Sequence, residues 1–394
     1  MPAQPPQLPV PDGHALQYSQ QLIQRICTEI ARQGGQISFR DFMQLALYAP
    51  GLGYYVAGSR KLGAEGDFVT APEIAPLFSH CLAQAIVPAL QELDEANILE
   101  VGAGRGVMAA EILRHLQAIE QLPEHYYILE LSGELRERQA QTLAQHVPEC
   151  ISRVVWLASL PDELSAVVLG NEVVDAMPVN IVSKLEGGWQ EQYVAWRDGR
   201  FIWQAGEITD PRLVERMQAI EEKLGISFDT GYTSEINLLA EDWLNALGNS
   251  LKQGLVLLID YGFPCHEFYH PQRNSGTLMC HYRHHAHADP FLYPGLQDIT
   301  AHVDFSAMAE AAYQTGFSIV GYTNQANFLI GSGLTEFCQT DPAEGMQPQM
   351  LLANQIKKLT LPHEMGELFK VIGFSRQLEV SLPGFMLRDM RNSL

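Results

Sequence analysis

Residues 98–108 read ILEVGAGRGVM. A short apolar run carrying one acid, Glu100, leads into three glycines at alternate positions, Gly102, Gly104 and Gly106. That pattern predicts a buried strand, a tight turn and the start of a helix. In α/β sheets ligands sit beyond the carboxyl ends of the strands. Glycines placed there let the main chain approach a ligand, and the amides of a helix N-terminus can serve an anion. The spacing is GxGxG, not the GxGxxG that cradles a dinucleotide pyrophosphate. A tight strand–helix turn with no ligand is the competing reading.

Outward from this turn the chain alternates. YYILEL (126–131), RVVWL (153–157), AVVLGNE (166–172) and GLVLLIDYG (254–262) read as further strands. Helical stretches follow the glycine turn to about Leu116 and run from Gly133 to Ala144. Strands alternating with helices predict an α/β fold, a mostly parallel sheet with helices on both faces. Residues 1–13 are proline-rich and read as a flexible arm. Residues 14–95 read as an N-terminal helical region, with helices over about Leu16–Arg32 and Ser38–Tyr48 and a long glycine-rich loop over Ala49–Glu73. A loop that long is more often functional than idle. The core spans 96–177 and 253–394. Residues 178–252 form an inserted lobe, hairpin-like at first with Gly187 and Gly188 at the bend, then helical and acidic.

The next strand tests the turn. An acid at its end, ~20 residues on, can accept two hydrogen bonds from vicinal ribose hydroxyls. Glu130 closes YYILE. It also reads simply as a solvated acid. The strand after that ends in GNEVVDAMPV, with Asn171, Glu172 and Asp175 between apolar runs. Carboxylates at the mouth of a buried strand are costly without a cation or a hydrogen-bond donor. Helix capping is the alternative for Asp175 and Asn171. Asp260 and Tyr261, ending the fifth predicted strand, would line the same cleft as a substrate surface.

Composition narrows the field. The formal net charge of −21 removes any global basic footprint, so nucleic acid is not expected as a partner. A protein partner suits the acidic surplus better. Six scattered cysteines without a CxxC pair exclude a zinc ribbon or thioredoxin motif and suggest reduced thiols. No run of ~18 apolar residues is present, so no membrane span is expected. The N-terminus lacks the marks of a signal or transit peptide. A bacterial cytoplasm is therefore expected over a mitochondrial matrix.

With these motifs in hand, the chain resembles the MidA-like family of S-adenosylmethionine (SAM) dependent methyltransferases. ExGxGxG is similar to the first motif of such enzymes. The matching segments are FRDFMQLALYAPGLGYY, GDFVTAPEIAPLF, ILEVGAGRGVMAAEILRHL, YYILELSGELRERQ, NEVVDAMPV, LLIDYG, HADPFLYPGLQDITAHVDF and MGELFKVI. They keep the family's order and span nearly all of the chain. This chain departs from the family at Ala103, and at Val173 and Val174 where aromatics are usual. The resemblance implies a Rossmann-like methyltransferase sheet and SAM as cofactor. It makes Glu100, Gly102, Gly104, Gly106, Glu130 and Asn171 the cofactor-binding set. Gly66, Phe68 and Thr70 join them from the covering GDF loop, although Phe68 also reads as packing and Asp67 as a turn residue. Mitochondrial members are protein arginine methyltransferases that assist assembly of respiratory complex I (NADH dehydrogenase). The resemblance therefore implies a protein substrate, probed by carboxylates that can fork a guanidinium. Glu172 and Asp175 are the catalytic candidates, with Asp67 third.

CHYRHHAHADPF (280–291) is rich in histidine. No matched cysteine or carboxylate pattern accompanies it, so no metal is expected. The resemblance suggests a substrate-facing loop instead, with His284 its candidate. Three other functions compete. An NAD-linked oxidoreductase would need the missing GxGxxG. A non-catalytic assembly chaperone would keep the fold without the reaction. A small-molecule methyltransferase would keep the reaction with another acceptor.

Overall fold

The computed structural model describes residues 8–56, 70–338 and 346–394. These fall into two compact units. One holds 8–56, 175–240 and 263–304, and the other holds 70–174, 241–262 and the described residues from 305 onward.

The second unit is built on seven strands of an eight-strand sheet. These strands are β1 (Ile98–Val101), β2 (Tyr126–Leu129), β3 (Val154–Leu157), β4 (Leu164–Asn171), β5 (Leu251–Phe263), β6 (Ser318–Asn324) and β7 (Phe369–Arg376). Across the sheet the order is 3-2-1-4-5-7-6. The pairs β1–β2, β2–β3, β1–β4 and β4–β5 are parallel. Strand β7 runs antiparallel to both β5 and β6. The chain builds outward from β1 to β3, then returns to β4 on the other side of β1. Such a reversal marks the carboxyl ends of β1 and β4 as the place where α/β sheets take their ligands.

Burial explains why these runs form strands. In β4, Val167 and Leu169 join one apolar cluster with Leu255, Leu257 and Ile259 of β5. The alternate residues Val168, Val256 and Leu258 are equally buried and point the other way. A sheet covered on both faces reads as a continuous apolar run, as AVVL and GLVLLI do. Three helices pack here, α1 (Pro76–Glu92), α2 (Val107–Ala118) and α3 (Gly133–His146). The apolar residues of α1 and α2 pack in the same cluster as β4 and β5. Among the described residues no helix is long and apolar enough to cross a membrane.

The other unit begins with a helix over Gly13–Arg32, capped by the Asp12 carboxylate on the amide of Ala15. A strand over Gln36–Ser38 and a helix over Phe39–Tyr48 follow. The strand pairs with a meander of Asn180–Leu185, Gly188–Arg197 and Arg200–Gly206.

Several elements differ from the sequence reading. The hairpin over 178–205 is a three-strand meander, turned a second time at Asp198 and Gly199, both at positive φ. The stretch 211–252 is not wholly helical, since Thr233–Ile236 is a strand paired with Asn180–Leu185. Residues 263–304 cluster with the meander unit, not with the sheet. Strands β6 and β7 carry no strand signal in the sequence reading. Each has a mid-strand glycine, Gly321 and Gly373, that pair directly with each other. A Cβ on Gly321 would stand 2.2 Å from the Phe385 ring, and one on Gly373 3.0 Å from it. The two glycines make room for that ring, where the sequence pattern suggests a break.

Candidate cofactor and acceptor sites

Strand β1 places Glu100 and the glycine turn. Glu100 is buried, and its Oε2 accepts from the Tyr126 hydroxyl on β2 at 2.6 Å. Burial pushes its carboxyl up to about 7, against the opposing pull of that hydroxyl. Gly102, Gly104 and Gly106 all have positive φ, at 70°, 51° and 80°. Two of them are also crowded. A Cβ on Gly102 would stand 2.8 Å from Val173 Cγ2, and one on Gly106 3.2 Å from Gln139 Cα. Only glycine meets both demands. Gly106 then caps α2, whose amide end faces the turn.

Strand β2 places Glu130. Its Oε1 accepts from the amide of Ser132 at 2.8 Å and its Oε2 from Gln139 Nε2 at 3.2 Å. Two of about four lone-pair positions are therefore taken, which leaves acceptor capacity for a pair of hydroxyls. Arg136 of α3 donates to the main-chain carbonyls of Glu130 and Leu157, tying the ends of β2 and β3 together.

Strand β4 places Asn171 and Glu172. Asn171 Nδ2 donates to Glu172 Oε1 at 3.2 Å. Glu172 sits at φ 52°, an uncommon conformation for a residue with a side chain, and its amide donates to Ile259 O on β5. Strand β5 places Asp260, which is buried. Its Oδ2 accepts from the amide of Val174 and its Oδ1 from its neighbour Tyr261. Asp260 thus anchors main chain on the Glu172 loop. The Tyr261 ring packs edge-on to Phe369 of β7 at 5.4 Å.

Asn171 Oδ1 and Glu73 Oε2 are among the buried polar atoms of this unit that have no hydrogen-bond partner among the described residues. Glu73 lies 3.9 Å from the Arg105 guanidinium of the glycine turn, and burial raises its pKa. Thr70 begins the same short helix without a side-chain cap. Gly66, Asp67 and Phe68 lie outside the described residues.

In the other unit, buried Asp175 and Asp298 accompany two tyrosines from the Ala49 region. Tyr55 donates to Asp298 Oδ1 at 2.8 Å, and Tyr48 to the carbonyl of Ala176 at 3.0 Å. Their rings stack at 5.5 Å. Burial first, and then Asp298 and Asp175, hold both phenols above their ordinary pKa. His284 stands apart from this group, exposed at φ 62° in the two-residue turn between paired Tyr282 and His285. Among the described residues no cluster of His, Cys, Asp and Glu could hold a metal ion. The sequence reading passed over Gln139, Trp156, Tyr48, Tyr55 and Asp298. Gln139, Tyr48, Tyr55 and Asp298 stand in motif segments, yet polar residues there carry no spacing signal of their own.

Residues 81–323 match the family described as S-adenosyl-L-methionine-dependent methyltransferase. The chain belongs to that family, in its MidA-like branch. It is similar to a Burkholderia thailandensis protein solved with S-adenosyl-homocysteine (SAH) bound, at 44% identity and a TM-score of 0.93, over 98% of this chain and 100% of that one. Among curated proteins it is similar to protein arginine methyltransferase NDUFAF7 of Mus musculus, 27% identical over 85% of this chain and 80% of that protein. The Drosophila melanogaster homolog is also 27% identical, over 86% and 81%. The fold is the Rossmann-like methyltransferase sheet and the cofactor is SAM.

The residues present fit that cofactor. An ammonium and a pair of ribose hydroxyls need acceptors, and a nucleoside needs an open approach to main chain. Glu73 and Asn171 offer orphaned acceptors, Glu130 offers a half-used carboxylate, and the glycine turn offers the approach.

Proposed function

We propose that this methyltransferase modifies arginine on a protein, a subunit of respiratory NADH dehydrogenase, in a cytoplasmic setting. The observation that carries the reading is the match over 85–86% of the chain to relatives named protein arginine methyltransferases. The complex I acceptor enters through the family resemblance. Gly102, Gly104, Gly106, Glu130 and Asn171 are assigned to the cofactor, with Gly66, Phe68 and Thr70 covering it.

Bound SAM supplies a methyl group already activated on a sulfonium. What remains for the chain is to orient the acceptor and exclude water. A guanidinium stays protonated to pH above 12 and is a poor nucleophile. Carboxylates that fork it draw positive charge toward themselves and present one nitrogen. Glu172 and Asp175 are assigned that work, and Asp67 remains the third candidate. Glu172 is held by Asn171, and its loop is pinned by Asp260. Asp260 is accordingly assigned to positioning the loop, with Tyr261 beside it. Asp298 joins Asp175 as a second carboxylate next to Tyr55. His284 receives no role.

The test is mass spectrometry of NADH dehydrogenase subunits incubated with the enzyme and methyl-labelled SAM. Label on an arginine, absent with Glu172→Ala although that variant still binds SAH, is the expected result. Label on lysine alone, or full turnover by Glu172→Ala, would sink the assignment.

A further inference from the structure

We propose that Gln139 is a positioning residue that sets the spacing between the glycine turn and the acid Glu130. The inference rests on the cofactor assignments above and adds a residue that acts through Gly104 and Glu130. Gln139 lies on α3 and is 0% exposed. Three groups engage its amide, taking both N–H donors and one lone pair of the oxygen. Nε2 donates to the Gly104 carbonyl at 3.0 Å and to Glu130 Oε2 at 3.2 Å. Oε1 accepts from the Trp156 indole at 2.9 Å.

The chemistry of each partner makes this arrangement directional. An indole N–H can only donate, so it selects the oxygen of the amide. Both amide hydrogens must then point the other way. There they meet one atom of the glycine turn and one atom of the ribose acid. A rigid planar group thereby holds the two halves of the cofactor site at a fixed separation. The helix can come that close only because position 106 has no Cβ. A leucine or methionine would fill the same volume and hold neither partner. It would also leave the indole N–H and the Gly104 carbonyl short of partners.

The test uses calorimetric titration of the full chain with SAH between pH 6 and 8.5. Gln139→Glu keeps the size and the acceptor for Trp156. When ionised it loses both donors and faces the Glu130 carboxylate, whereas protonated it can donate again. The expected result is an affinity about tenfold below wild type at pH 8.5, with the deficit shrinking toward pH 6. A purely structural residue would shift thermal stability without that pH-dependent recovery. A deficit that is the same at every pH, or below about twofold throughout, would overturn the proposal. Should Gln139→Glu fail to fold, Trp156→Phe removes the orienting N–H while keeping an aromatic ring in the packing. It should weaken SAH several-fold, and unchanged affinity would overturn the proposal. Glu130→Gln serves as the control. If it binds SAH as wild type does, the ribose assignment itself is wrong and the role of Gln139 falls with it. If it weakens binding while Gln139→Glu does not, only the positioning role is wrong.

Discussion

Gly102 carries two constraints, a left-handed backbone at φ 70° and Val173 Cγ2 2.8 Å from where a Cβ would sit. Gly102→Ala should cost about 1–2 kcal/mol from the backbone alone, with the overlap adding to it. In thermal melts, Val173→Ala in the same chain should relieve the overlap and leave the backbone cost. Equal stability of wild type and Gly102→Ala would contradict the geometry. At this scale the sequence was informative where a residue type is demanded by backbone shape. ExGxGxG announced the turn, and the acid at position 130 followed at the expected distance. It was silent where a side chain works through a partner distant in sequence. Nothing in the order of residues joins Gln139 to Trp156, or Tyr55 to Asp298. Those pairings exist only once the topology has brought their elements together.

Between elements, the carboxyl ends of β4 and β5 depend on one buried acid. Both oxygens of Asp260 accept main-chain N–H groups, from Val174 and Tyr261. Asp260→Ala leaves those amides without their acceptor, at about 1–3 kcal/mol for each. Urea unfolding should show a loss of that order, and hydrogen exchange at the Val174 amide should quicken. An unchanged Val174 exchange rate would contradict the anchoring role. The sequence pattern reads a polar pair ending a strand as a substrate surface, because the sign and position of a charge are visible but its partner is not. Strands themselves were legible where apolar runs are unbroken, as in β4 and β5. They were illegible in β6 and β7, where paired Gly321 and Gly373 yield to the Phe385 ring.

For the whole molecule, the buried Glu100–Tyr126 pair links folding to pH. The Glu100 carboxyl rises from 4.5 to about 7 on folding. A carboxyl raised by folding favours the folded state in its protonated form. Its contribution is therefore complete below about 4.5 and is lost as pH rises through about 7. Glu100→Gln keeps an acceptor for Tyr126 and cannot ionise. Its stability relative to wild type should therefore grow from pH 5 to 8, by up to about 3 kcal/mol. Parallel stability profiles for the two chains would contradict a buried, ionisable Glu100. At this scale the α/β class and the family were both readable, since the motif strings run in order along nearly the whole chain. The composition of the two units was not, because residues 175–240 and 263–304 join the N-terminal helices by contacts remote in sequence.

The division between a glycine-turn cofactor site and a carboxylate acceptor site is tested most directly by calorimetric titration of SAH into wild type, Gly104→Val and Glu172→Ala. Position 104 stands at φ 51°, which a β-branched residue adopts only under strain. The expected result is tight binding by wild type and by Glu172→Ala, and loss of binding in Gly104→Val. Equal binding by all three, or loss in Glu172→Ala with retention in Gly104→Val, would contradict it.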